Sequence, residues 1–200
     1  MNILIIGANG FTGRRILNDL VAREIYNITA CSLRNDIQSG DGYQFIRADI
    51  RNASEVRALF KEVCPDVVIN TSALSVPDFC ETHHNEARAT NITAVEHLAR
   101  ACEQYGSRFI HLSTDFVFDG RTDRLYIEED EPNPVNYYGI TKLEGEERVA
   151  ECCGNYAIVR VVVVYGKALP GQHGNIVQLV ANKLRSGETI RVVSDQWRTP

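Results

Sequence analysis

Tyr138 and Lys142 stand four residues apart in Tyr138-Gly139-Ile140-Thr141-Lys142, a spacing that puts a phenol and an ammonium on one face of a helix. A free phenol titrates at about 10, too high for proton transfer near neutrality. A neighbouring cation favours the phenolate and lowers that value, so the pair suits general acid chemistry. A hydroxyl that holds the reacting oxygen would complete the set. Leu112-Ser113-Thr114-Asp115-Phe116-Val117-Phe118-Asp119-Gly120 offers Ser113 and Thr114 for that purpose. A second chemical pattern lies near the N-terminus, in Gly7-Ala8-Asn9-Gly10-Phe11-Thr12-Gly13. Gly-x-x-Gly-x-x-Gly after a strand and before a helix is the pattern of a pyrophosphate cradle. Gly7 permits the tight turn, Gly10 lets the backbone approach the phosphates, and Gly13 lets the helix pack against the strand. The helix N-terminus then offers unpaired N–H groups and the positive end of its dipole. The pattern predicts a bound nicotinamide dinucleotide.

The segment after the second strand bears on which nicotinamide. Enzymes that use NAD place an acid there for the ribose hydroxyls. Here it reads Cys31-Ser32-Leu33-Arg34, a hydroxyl and a guanidinium with no acid. Arg34 can pair bidentately with a 2′-phosphate, and Arg14 in the first helical turn can assist. NADP(H) is therefore favoured, with NAD(H) as the alternative.

These residues need strands and helices to bring them together. Asn2-Ile3-Leu4-Ile5-Ile6 is a short apolar run ending in glycine, the pattern of a strand buried on both faces. Ile16, Leu17, Leu20 and Val21 mark a helix. Residues 28–32 and 43–48 read as strands. Asn52 with Glu55 reads as a capping box opening a helix that Pro65 ends. Residues 67–69 are a buried strand, 81–105 one long helix, 108–113 a strand and 119–136 a polar surface loop. Residues 137–153 read as a helix and 157–164 as a β-branched strand. Residues 176–184 read as a helix stopped by Gly187, and 189–193 as a last strand. Strands alternating with helices predict an α/β fold, a doubly wound parallel sheet of the Rossmann kind. Residues 1–166 form the dinucleotide-binding domain, and 167–200 read as the truncated beginning of a smaller substrate lobe.

The 200 residues carry 21 basic and 26 acidic side chains, a net charge of −5, and no long basic run, so nucleic acid is not the expected partner. No stretch reaches membrane-spanning length and no signal peptide is visible. Six cysteines, at 31, 64, 80, 102, 152 and 153, lack both a C-x-x-C pair and a disulfide framework, which predicts reduced thiols in a cytoplasmic protein.

Taken together, the glycine turn, Ser113-Thr114-Asp115-Phe116-Val117-Phe118-Asp119-Gly120 and Tyr138-Gly139-Ile140-Thr141-Lys142-Leu143-Glu144-Gly145-Glu146 resemble the extended short-chain dehydrogenase/reductases. The branch most similar is that of the dTDP-4-dehydrorhamnose reductases. The resemblance covers nearly the whole chain and extends to Asp49, Thr71-Ser72-Ala73, Asp78-Phe79-Cys80-Glu81, Asn91, residues 160–166 and Asp195-Gln196-Trp197-Arg198-Thr199-Pro200.

The resemblance implies a catalytic triad of Thr114, Tyr138 and Lys142. Tyr138 would protonate the substrate carbonyl, Lys142 would bind the nicotinamide ribose and tune the tyrosine, and Thr114 would hydrogen-bond the reacting oxygen. It implies cofactor contacts from Gly7, Asn9, Gly10, Phe11, Thr12, Gly13, Ser32, Arg34, Asp49, Ile50, Thr71, Ser72 and Ala73, besides Tyr138 and Lys142. Asp49 and Ile50 would lie by the adenine, and Ala73 would line the nicotinamide side. The implied reaction is NAD(P)H-dependent reduction of the 4-keto group of a nucleotide-activated deoxysugar. Val163 and Arg198 depart from the branch's pattern on the substrate side and leave the sugar open. The resemblance also places a possible homodimer surface on the helices at 81–105 and 137–153.

Two other functions fit the same scaffold. One is a sugar-nucleotide epimerase or dehydratase, for which no extra acid–base pair is evident. The other is a non-catalytic dinucleotide-binding regulatory subunit, like the β-subunit of methionine adenosyltransferase. No metal site is expected: His83 and His84 are adjacent and point in different directions on a helix. Cys152-Cys153 reads as a helix end, Glu128-Glu129-Asp130-Glu131 as a solvated loop face, and Trp197 as an anchor.

Overall fold

The computed structural model describes residues 1–169, 172 and 174–191. Six strands make one parallel sheet: β1 (Asn2–Ile6), β2 (Asn27–Ser32), β3 (Gln44–Arg47), β4 (Val67–Asn70), β5 (Arg108–Thr114) and β6 (Tyr156–Val161). Their order across the sheet is β3-β2-β1-β4-β5-β6, with every neighbouring pair parallel. The order reverses between β1 and β4, where the carboxyl ends of the strands leave a crevice. This is the doubly wound α/β architecture that the alternation of elements predicts.

Successive strand residues face opposite sides of the sheet, and the core divides accordingly. Leu4, Ile6, Val68 and Phe109 pack against Val56, Leu59 and Phe60 of α2 (Ala53–Val63). The same cluster takes in Val95, Leu98 and Cys102 of α5 (Ala94–Tyr105) and Val149 of α6 (Tyr137–Cys152). Ile3, Ile5, Ile28 and Ala30 face the other way, onto Leu17 of α1 (Phe11–Val21). α7 (Ile176–Arg185) buries no residue, and Ile176, Val177, Leu179 and Leu184 are exposed on it.

The helix ends follow local chemistry. Asn52 caps α2 by accepting from the Ser54 N–H, and Glu55 takes the Asn52 amide and the Asp49 N–H rather than the Asn52 N–H. Cys64 closes that helix in the left-handed region, at φ 43°. Gly187, at φ 71°, follows α7 where the sequence places its stop.

Three expectations change. The single helix over 81–105 is four pieces: α3 (Pro77–Thr82), α4 (His84–Arg88), a π-turn (Ala89–Thr93) and α5. His83, at φ −126° and ψ 58°, breaks the first junction. The last strand over 189–193 is absent at 189–191, and 192–193 lie outside the described residues. The strand expected over 157–164 ends at Val161. The closing motif 195–200, with Trp197 and Arg198, also lies outside the described residues. Cysteines 31, 64, 80, 102, 152 and 153 are unpaired thiols, as expected. Among the described residues, no helix is long and apolar enough to cross a membrane.

Candidate active site

The glycine turn sits at the carboxyl end of β1, in the crevice. Gly7 has φ 81°, in the left-handed region. A Cβ there would also lie 2.8 Å from the Ser72 nitrogen. A Cβ on Gly13 would lie 2.3 Å from the Gly7 carbonyl oxygen, so only glycine lets α1 approach β1 this closely. The cradle is tied down from two sides. The Gly7 and Ala8 N–H groups donate to the Cys31 carbonyl at 2.9 and 3.0 Å, and Thr71 Oγ1 donates to the Ile6 carbonyl at 2.8 Å. No side chain caps α1 and no acid lies in its first turn, so its positive end keeps its affinity for an anion. A close backbone approach without Cβ atoms and an uncapped helix N-terminus together fit a dinucleotide pyrophosphate.

Asn9 is the hinge of the neighbouring loop. Its N–H donates to Ser32 Oγ at 3.1 Å, and its amide nitrogen donates to the Asn35 carbonyl at 2.9 Å. Its Oδ1 accepts from Arg14 at 3.0 Å. Arg14 is 3% exposed and ion-paired to Asp36; it also donates to Tyr43 Oη at 3.1 Å, and Tyr43 donates to Asp36 at 2.6 Å. Burial alone would raise the Asp36 pKa, but the hydrogen bonds from Tyr43 and Arg14 hold it below the usual carboxylate range. Arg14, expected to assist Arg34 at a 2′-phosphate, is engaged with Asp36. The spacing gave no sign of Asp36. Arg34 itself is exposed just past β2, and Ser32 is buried at its end.

Asp49 and Ile50 lie past β3. Asp49 is forked onto Arg51, with Oδ1 2.8 Å from Nε and Oδ2 2.6 Å from Nη2, and that hydrogen bonding lowers its pKa. The buried Ile50 offers its carbonyl to His97 at 3.1 Å. Past β4, Thr71 faces the glycine turn, Ser72 Oγ donates to Asn70 Oδ1 at 2.6 Å, and Ala73 is half-buried.

The three hydroxyl and amine groups expected to do chemistry sit on β5 and α6. Thr114 ends β5, 5% exposed, and its Oγ1 accepts from the Phe116 N–H at 3.3 Å. Asn136 caps α6 by accepting from the Gly139 N–H at 2.8 Å, which fixes where the helix begins. A Cβ on Gly139 would lie 2.3 Å from the Phe116 carbonyl oxygen, so this glycine lets Tyr138 approach the turn after β5. The Tyr138 ring meets Phe116 edge to face at 5.4 Å. Lys142 is 1% exposed and donates to the Leu112 carbonyl at 2.8 Å. Burial lowers its pKa to about 8 against a weaker upward pull from Glu146.

The π-turn braces this arrangement. Asn91 is fully buried, holding the Leu74 N–H on Oδ1 at 2.8 Å and donating to Thr141 Oγ1 at 3.0 Å. A Cβ on Gly145 would lie 2.4 Å from the Asn91 carbonyl oxygen. The extra residue of the turn brings that backbone against α6. Ser113 Oγ is buried and has no hydrogen-bond partner among the described residues, a polar atom left at the end of β5. Sequence reasoning missed Asn70 and His111, both fully buried beneath Lys142. His83 and His84 do not act together: His83 stacks on Phe79 and His84 on Tyr137.

Comparison with known proteins identifies the family. Residues 1–200 match the family described as the RmlD substrate binding domain. A probable low-salt glycan biosynthesis reductase of Haloferax volcanii is 36% identical over all of this chain and 66% of its own length. The methionine adenosyltransferase 2 subunit beta of Bos taurus is 33% identical over 82% of this chain and 47% of its own length. The crystal structure of dTDP-4-dehydrorhamnose reductase from Bacillus anthracis, in complex with NADP, superposes with a TM-score of 0.84. It is 30% identical, covering 97% of this chain and 63% of that one. The chain thus spans less than two thirds of the length of each of these proteins. With the match extending from first residue to last, the chain belongs to the RmlD substrate-binding domain family.

Proposed function

We propose that the chain carries the NADP-binding and hydride-transfer part of a reductase that acts on the 4-keto group of a nucleotide-activated deoxysugar. One observation carries the reading: Thr114 at the end of β5 and Tyr138 and Lys142 on α6 flank the same crevice as the glycine turn after β1. A relative named as a glycan biosynthesis reductase and a neighbour solved with NADP support it. Bound NADPH would supply the hydride. Gly7, Gly10 and Gly13 with Asn9, Phe11 and Thr12 would hold the pyrophosphate end. Asp49 and Ile50 would lie by the adenine, and Thr71, Ser72 and Ala73 by the nicotinamide half. Arg34, with Ser32 where an acid would favour NAD, would take a 2′-phosphate, and NAD(H) is the weaker alternative. Thr114 would hydrogen-bond the keto oxygen, Tyr138 would give it a proton, and Lys142 as the ammonium would lower the tyrosine pKa. Residues 167–200 would begin the region that binds the sugar nucleotide. The unpaired thiols fit a cytoplasmic setting.

The test is to give the full-length protein NADPH and a dTDP-4-keto-6-deoxysugar and follow absorbance of the reduced nicotinamide. Oxidation that depends on the sugar is expected. Tyr138→Phe should reduce turnover by at least about a hundredfold, the scale of a lost general acid, and leave NADPH affinity intact. The similarity to the methionine adenosyltransferase subunit favours a second reading, a dinucleotide-binding regulatory subunit. Tight NADPH binding without oxidation would select it over the reductase.

A further inference from the structure

We propose that Asn70 and His111 are positioning residues that hold Lys142 as a hydrogen-bond acceptor. In the cofactor-free protein the relay then favours the neutral amine, and the ammonium forms only by breaking the relay. The inference rests on the reading of Lys142 as the residue that tunes Tyr138.

The relay begins at a group whose role is fixed. The Ser72 backbone N–H can only donate, and it meets the Asn70 side chain at 3.0 Å. The atom it meets must therefore be Oδ1, which also accepts from Ser72 Oγ. That orientation turns Nδ2, a donor without lone pair, onto His111 Nδ1 at 3.1 Å. Nδ1 must accept. A neutral imidazole has one N–H, so the proton of His111 is on Nε2. Nε2 lies 3.2 Å from Lys142 Nζ. An N–H facing an ammonium would set two donors against each other; facing an amine it finds a lone pair. The amine still donates to the Leu112 carbonyl at 2.8 Å, so the geometry satisfies every partner when Lys142 is neutral.

The imidazolium does not rescue the ammonium. His111 is fully buried, and burial together with the charge of Lys142 holds its pKa well below the ordinary histidine value. Protonated Nδ1 would also confront the Asn70 amide. The other charges near Lys142 are largely committed. Glu146, one turn on in α6, is forked onto Arg160 of β6 at 3.1 and 2.7 Å. Asp115, beside Thr114, accepts from its hydroxyl at 3.2 Å. From the helices packed on α6, Glu81 accepts from the Tyr137 N–H, and Arg88 pairs with Glu144 at 3.0 Å. Both contacts lie toward solvent. Burial already lowers the Lys142 pKa, and the His111 N–H acts in the same direction. To take a proton from solvent, Nζ must leave the imidazole, or the imidazole proton must pass to the Nδ1 side with the Asn70 amide turned and its bond to the Ser72 N–H lost.

The experiment uses the full-length protein without cofactor, labelled with ¹⁵N in histidine and ¹³C at lysine Cε. Long-range proton–nitrogen correlation should show His111, assigned by its loss in His111→Leu, as the neutral Nε2–H tautomer above about pH 8, where Lys142 is the amine. The Nδ1–H tautomer or an imidazolium would overturn the proposal. In the lysine spectrum, His111→Leu should raise the Lys142 midpoint by about one pH unit, since the amine loses a donor and burial is kept. Asn70→Asp offers acceptors to both neighbours, so it should move the proton to Nδ1 and raise the midpoint further. An unchanged midpoint in His111→Leu would overturn the proposal even if Asn70→Asp does not fold. No sample contains NADPH or sugar, so a failed reductase assay leaves these readings intact, and a failed relay leaves the assay standing.

Discussion

Lys142 is costly to fold. Its pKa falls from 10.5 to about 8, and the cause is burial. Between those values the unfolded chain binds a proton that the folded chain does not. Stability therefore rises as pH climbs from about 8 toward 10.5, and the penalty is fully present below that window. At about 1.4 kcal/mol per unit, the penalty at neutral pH is on the order of 3 kcal/mol. Lys142→Met should accordingly stabilise the protein at pH 7 by up to about 3 kcal/mol in urea unfolding, with turnover lost. A destabilised variant would show that the ammonium is better compensated than its burial implies. Asp36 works in the opposite sense. Hydrogen bonds from Tyr43 and Arg14 depress its pKa, so its stabilisation is present above the ordinary carboxylate range and disappears as acid takes the pH through the lowered value. Asp36→Ala leaves Arg14 buried without its counter-charge and should cost about 3 kcal/mol in the same measurement. The chemistry of single residues was partly legible in the sequence. Tyr138 and Lys142 are four apart on one helix, so their pairing is local. Asn70, His111 and Lys142 are separated by 41 and 31 residues, and the adjacency of β4 and β5 together with the packing of α6 on β5 brings them together.

At the scale of elements, glycines decide how closely the pieces approach. Gly13 presses α1 onto β1, Gly139 presses α6 onto the turn after β5, and Gly145 presses it onto the π-turn. Gly13→Ala puts a methyl against the Gly7 carbonyl, which is backbone and cannot rotate away. Thermal unfolding should register a loss of about 1–3 kcal/mol, the usual cost of overpacking, and NADPH binding should weaken with it. Unchanged stability and binding would mean that the turn relaxes without cost. The elements around the glycine turn were readable because buried strand, glycine spacing and helix are consecutive in the chain. The stretch 81–105 was not, because its apolar stripe, Val95, Leu98, Ala99 and Cys102, lies beyond both interruptions and carries no sign of them. The break at His83 and the extra residue at 89–93 are tertiary features. They are fixed where Asn91 bonds Leu74 and Thr141 and where its backbone meets Gly145.

For the whole molecule, strand order turns scattered motifs into a site. With β1 and β4 adjacent at the centre and β5 beyond, the glycine turn, residues 71–73 and Thr114 all follow carboxyl ends of the sheet, and α6 packs on β5 and the turn after it. The alternation of strands and helices announced the doubly wound parallel sheet, though not the order of its strands. The sequence did not announce how bare the far side would be: α7 buries nothing, and Val159, Val162 and Val164 in and after β6 remain exposed. An isotope reports the proposed hydride transfer to a sugar carbonyl in the crevice. The full-length protein should be given NADPH deuterated at the reactive nicotinamide carbon together with the dTDP-4-keto-6-deoxysugar, and the product analysed by mass spectrometry and NMR. One deuterium is expected on the former carbonyl carbon, forming at least about a hundredfold more slowly in a parallel sample with Tyr138→Phe. A reduced sugar without deuterium there, or no reduced sugar while NADPH is bound, would contradict the proposed transfer.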